Sequence, residues 1–189
     1  MFPQRRPATL IPYASLAALA ASCLLSLPAW AQEAVARAAS PGNVIGVEVK
    51  VDGMGKVAYA IQRKGKEVIA PSRLGFNLAN ARKLDGGFSL RQQKVSDHDS
   101  TWEQPWGERR FVRNKYRELR VDLEQKRQDG RQLSVVFRIY DDGVGFRYEF
   151  PAQKQLPVAE IIDELTEFTV AQPATAWWIP AGELPALEE

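Results

Sequence analysis

Residues 97–110, Asp97-His98-Asp99-Ser100-Thr101-Trp102-Glu103-Gln104-Pro105-Trp106-Gly107-Glu108-Arg109-Arg110, gather the side chains best suited to chemistry in this chain. Trp102 and Trp106 stand four residues apart, with Glu103 and Glu108 beside them. Indole faces stack on the C–H faces of sugar rings and carboxylates accept hydrogen bonds from hydroxyls, so the set can hold a glycan. It also suits a plainer role, in which each indole buries apolar area and seeks one N–H partner. Arg109 and Arg110 then pair with Glu103 and Glu108 across a loop. His98 is the sole histidine. It belongs to no triad motif and no metal-ligand spacing, and reads as a loop residue.

Near the other end, Trp177 and Trp178 are adjacent. Neighbours on a strand face opposite sides, so one ring can enter a core while the other faces outward, toward a ligand or further protein. Glu183, Glu188 and Glu189 follow. Their oxygens suit a hard cation such as calcium, or simply keep a tail solvated.

The elements that must position these groups show a period of two. Val47, Val49 and Val51 alternate with Glu48 and Lys50; Asp52-Gly53-Met54-Gly55 turns the chain into Val57, Tyr59 and Ile61. Further strands are expected through Val68-Ile69, Leu74/Phe76/Leu78 and Phe88/Leu90. Leu133, Val135, Phe137 and Ile139 lead through Asp141-Asp142-Gly143 to Val144, Phe146, Tyr148 and Phe150, where Pro151 ends the run. Residues 114–128 offer the best helical window but also alternate, and read as strand from Tyr116. The pattern predicts an all-β antiparallel β-sandwich starting near Val44, with residues 32–43 as a flexible leader.

Arg5 and Arg6 precede an apolar run over 10–27, then Pro28-Ala29-Trp30-Ala31. These are the parts of a secretory signal peptide over 1–31, with cleavage expected after Ala31 and a periplasmic or secreted product. A spanning anchor or a lipid on Cys23 fits less well, because a small-residue cleavage site follows Pro28 directly and the apolar run continues past the cysteine. Cleavage leaves 23 basic and 23 acidic residues, since both arginines leave with the segment. A near-neutral chain has no electrostatic basis for nucleic acid or an anionic membrane. The sole cysteine leaves too, so neither disulfides nor thiol chemistry is expected. About 158 residues remain, enough for one domain held by its core.

Six stretches together carry a resemblance: LGFNL from Leu74, STWEQPWGE from Ser100, NKYREL from Asn114, FRIYDDGVGFRYEFP from Phe137, DELTEF from Asp163 and AWWIPA from Ala176. In order and spacing, 44–181 resembles the N-terminal domain of glycoside hydrolase family 97. The resemblance implies a galactose-mutarotase-like β-sandwich of the carbohydrate-binding type. It further implies a (β/α)8 barrel bearing the catalytic carboxylates and an α-linked glucoside or galactoside as substrate. Calcium in the full-length enzyme is implied as well. A barrel takes about 250 residues and would lie beyond Glu189, so this chain alone is expected to be non-catalytic and to need no cofactor. The family's calcium-reaching glutamate corresponds in distance to Glu188 or Glu189, although 182–189 diverges from the family pattern. Asp99-Ser100-Thr101-Trp102 stands where the family has D-E-T-W, which removes one carboxylate. A free-standing carbohydrate-binding module and a non-functional gene fragment remain as alternative roles.

Overall fold

The computed structural model describes residues 34–126 and 130–177. Ten strands run β1 Ala34–Ala39, β2 Ile45–Val51, β3 Val57–Arg63, β4 Lys66–Arg73, β5 Phe76–Leu78, β6 Phe88–Glu103, β7 Phe111–Gln125, β8 Arg131–Ile139, β9 Val144–Glu149 and β10 Ile161–Glu164. One antiparallel sheet has the order β1-β2-β3-β4 and a second β6-β7-β8-β9. β10 pairs with β5. Beyond it the chain continues along the outer edge of β4, where Ala70 N donates to Thr169 O and Ala171 N to Val68 O. No helix among the described residues is long and apolar enough to cross a membrane.

The alternation read from the sequence sets the core. Val47, Val49, Val51, Val57 and Tyr59 of the first sheet face Leu119, Val121, Leu123, Leu133, Val135, Phe137 and Ile139 of the second, all buried. Tyr59 packs between the sheets, its ring 6.0 Å from Phe137 and 5.3 Å from Phe146, while its hydroxyl donates to Glu167 O. On the outer face of the second sheet, Arg120 bridges Asp122 and Glu149, and Arg138 and Arg147 reach Glu118. Val136, on the same face, is buried among these charged neighbours; the long arginine stems cover such apolar surface well.

The expected flexible leader is corrected. Residues 34–39 form β1, paired with β2 from Ala34↔Val51 to Ala39↔Gly46. Ala36 is buried, but alanines are too small and too weak in strand propensity to raise a period-two signal. The turn that follows is closed by buried Ser40, whose hydroxyl accepts from Val44 N and Ile45 N. The β2–β3 turn needs glycine at Gly55: φ is +75°, and a Cβ there would stand 2.4 Å from Phe88 N. Gly87 N and Phe88 N donate to Met54 O and Gly55 O, tying this turn to the start of β6.

His98 is also corrected, from loop to strand. β6 and β7 pair without interruption from Gln92↔Asp122 to Glu103↔Phe111, whereas β8 meets β7 only from Arg117 on. The six pairs from His98↔Tyr116 to Glu103↔Phe111 therefore extend past the sheet as a two-stranded ribbon, about 17 Å long at strand rise.

Candidate functional site

The ribbon carries the residues that the sequence singled out. Trp102 closes β6 opposite Val112 and is 50% exposed; Trp106, in the turn at the tip, is 84% exposed. Neither indole belongs to the core, which removes the buried-tryptophan reading. Of the proposed arginine–glutamate pairs, Glu103 does pair with Arg110, at 2.7 Å. Gln104 braces the turn, donating from its N to Arg110 O and from Nε2 to Arg109 O. Gly107 adopts φ +118° with Gln104 Nε2 only 2.8 Å from where a Cβ would sit, so a side chain there would disrupt the tip.

Residues directly opposite in an antiparallel pair share a face, and the ribbon's two faces differ sharply. One carries Asp97, Asp99, Arg113, Lys115 and Arg117. Arg117 Nε donates to Asp97 at 2.7 Å, and Arg113 forks onto Asp99 at 2.9 and 2.7 Å. These guanidinium hydrogen bonds hold both aspartates below the ordinary carboxylate value. The other face carries His98, Ser100 and Trp102 beside Tyr116, Asn114 and Val112. Its base is clamped: His98 stacks on Tyr116 at 4.6 Å and 13°, with Arg138 over Tyr116 at 4.9 Å. Tyr140 lies 5.3 Å from Tyr116 and its hydroxyl donates to Asn114 Oδ1 at 3.0 Å.

Phe111, 59% exposed, sits under Arg110, 5.2 Å from its ring centroid. With Asn114 and Tyr116 it was absent from the candidates drawn from sequence, where His98 and Ser100 stood in the 97–110 segment without an assigned role. Only the β6–β7 register brings the two halves of this set together. Glu108 lies in the exposed tip turn. Trp177 is 93% exposed. Trp178, Glu183, Glu188 and Glu189 lie outside the described residues, as does segment 1–31, the expected signal peptide. Among the described residues no group of three or more His, Cys, Asp or Glu could hold a metal ion. Elsewhere, a shallow cleft of about 460 Å³ lies on the first sheet between Arg37, Gly46, Glu48, Ala60 and Glu67, with Glu48 held by Arg37 and Lys50.

Residues 38–189 match the family model for the glycosyl-hydrolase 97 N-terminal domain, a span that takes in 182–189. A probable retaining alpha-galactosidase of Streptomyces bingchenggensis (strain BCW-1) is 26% identical over 164 residues, which are 85% of this chain and 25% of that protein. A glycoside hydrolase family 97 enzyme of Pseudoalteromonas sp. strain K8, solved with panose and with acarbose, is 38% identical with a TM-score of 0.73. The alignment covers 77% of this chain and 22% of that one. A beta-arabinopyranosidase structure aligns with a TM-score of 0.64 at 26% identity, over 71% of this chain and 21% of that one. The chain thus spans about a quarter or less of the length of these relatives. It belongs to glycoside hydrolase family 97, as the family's N-terminal β-sandwich domain.

Proposed function

We propose that this domain binds an α-linked oligosaccharide and serves as the scaffold against which a family 97 catalytic barrel is set. It performs no hydrolysis by itself. The observation that carries the reading is Trp102, held half-exposed on a braced ribbon that projects from a family 97 sandwich. Indoles that stay out of a core usually present a surface to be covered. Panose and acarbose are the sugars with which the Pseudoalteromonas enzyme was solved, which supports an α-linked oligosaccharide as the ligand class. Hydrolysis needs an acid and a second carboxylate flanking the bond; in this reading both belong to the barrel.

Export through the signal peptide places the domain in the periplasm or outside the cell. β1 begins at Ala34, so cleavage after Ala31 leaves the first sheet whole; amino-terminal sequencing of the exported protein should read from Gln32. Calcium belongs, in the same reading, to the full-length enzyme, with Glu188 or Glu189 as the contribution from this chain.

Titration calorimetry with panose, run beside a nitrophenyl α-glucoside assay, tests the proposal. Heat of binding in the millimolar range without turnover is expected. Turnover by this chain alone, or the absence of heat, would overturn it.

A further inference from the structure

We propose that the uncharged face of the ribbon is an oligosaccharide platform. Trp102 is its distal stacking surface, His98 over Tyr116 its proximal one, and Ser100 and Asn114 supply hydrogen bonds between them. The inference rests on the carbohydrate reading above and assigns it a place and a set of contacts.

The occupant follows from how charge is distributed. Between the His98↔Tyr116 and Trp102↔Val112 pairs, this face presents Ser100 and Asn114, with no carboxylate, lysine or arginine. The charged groups of the same stretch point the other way, where Arg113 and Arg117 are already neutralised by Asp99 and Asp97. An anionic polymer finds no cation on the uncharged face beyond Arg138 at its base, which is occupied over Tyr116. A cationic partner finds no acid beyond Glu118 at the base, which Arg138 and Arg147 already hold. An uncharged polyhydroxylated chain, with apolar ring faces and hydroxyl edges, matches both the aromatic ends and the neutral centre.

The polar centre has capacity to spare. The Ser100 hydroxyl has no hydrogen-bond partner among the described residues, and Asn114 uses its Oδ1 for Tyr140 while its two Nδ2 hydrogens remain available. His98 and Trp102 are four residues apart on one strand, about 13 Å at strand rise, which is long enough for a short oligosaccharide laid along the ribbon. The clamp of Tyr116 between His98 and Arg138 holds the proximal end in place before any ligand arrives, which lowers the ordering cost of binding.

Maltotriose is the probe, titrated into the full chain while tryptophan fluorescence and backbone amide shifts are followed. Wild-type protein should bind, with shifts concentrated at 98–102 and 112–116. Trp102→Ala should weaken binding about tenfold, the loss of one stacking contact. Trp102→Phe should recover most of it, which separates stacking from damage to the fold. Ser100→Val, a good strand former, should also weaken binding, and Lys115→Ser, on the charged face, should leave it unchanged. If wild-type binding survives Trp102→Ala but is lost in Trp106→Ala or Lys115→Ser, the platform is refuted while the carbohydrate reading stands. If wild-type protein gives no shift with maltotriose or panose, that reading fails and takes the platform with it.

Discussion

Tyr116→Ala should uncouple the ribbon from the sandwich. Tyr116 is the buried side chain of β7 nearest the ribbon's tip, one residue past the last β7–β8 pair, and three neighbours meet on its ring: His98, Arg138 and Tyr140. Truncating a buried aromatic in a closed core costs about 3–5 kcal/mol. Here one contact is a stacked pair of roughly 0.5–1.5 kcal/mol and another a cation–π contact of about 0.5–1 kcal/mol, both at a partly open site. We therefore expect a loss of about 2 kcal/mol, felt mainly by the ribbon because the sandwich core starts at Leu119. The assay is native-state amide exchange. Protection at 98–103 and 111–115 should fall roughly thirtyfold, while Val121, Leu123 and Val135 keep their wild-type rates. Equal losses in ribbon and core would refute the claim that the ribbon is a separate unit of stability. No loss in either would show that Tyr116 is not its clamp.

The ion pairs on the opposite face make the ribbon sensitive to acid. Asp97 and Asp99 titrate below the ordinary aspartate value in the folded chain; their contribution is complete above the unfolded aspartate pKa of about 3.9 and is lost as pH falls through the folded values. Protection in the ribbon, measured against the intrinsic exchange rate at each pH, should therefore fall below about pH 4, and Asp99→Asn should flatten that dependence while leaving core protection alone. Two glycines with nearly equal φ separate strain from space: Gly55→Ala meets Phe88 N at 2.4 Å, whereas Gly65→Ala, at φ +76°, meets nothing within 4 Å. Gly65→Ala should cost only the left-handed penalty of about 1–2 kcal/mol. Gly55→Ala should cost clearly more, read as the larger drop in thermal midpoint.

The sandwich was legible because its strands turn apolar side chains to one face and mostly polar ones to the other. Leu133, Val135, Phe137 and Ile139 repeat every second residue, and the Asp141–Gly143 turn marks where the chain reverses, its Tyr140 N donating to Gly143 O. β1 was not legible, since an alanine-rich edge strand is recognised only by its partner, and the pairing of Ala36 with Val49 is a tertiary fact. The exposed tryptophans could be located in sequence, but their surroundings could not: which residues neighbour Trp102 depends on the β6–β7 register.

The ribbon nevertheless left a trace of a different kind. On its outward half, Ser96, His98, Ser100 and Trp102 alternate with Asp97, Asp99 and Thr101, and on the returning strand Val112, Asn114 and Tyr116 alternate with Arg113, Lys115 and Arg117. A strand exposed on both faces has no hydrophobic alternation to display, so a search for apolar period-two patterns passes over it. Charge can carry the same period. Where acids recur at every second position on one run, and bases at every second position on the next, only antiparallel registers of one parity bring the acids onto the face of the bases. The observed register makes Arg117 meet Asp97 and Arg113 meet Asp99, and in doing so it gathers the uncharged residues on the reverse. A slip of one residue would turn one strand's whole set to the wrong side, setting Asp99 apart from its arginine and mixing charge into the face that holds Trp102. The ion pairs of the charged face thus act on the candidate site indirectly, by fixing the register that keeps the opposite face neutral.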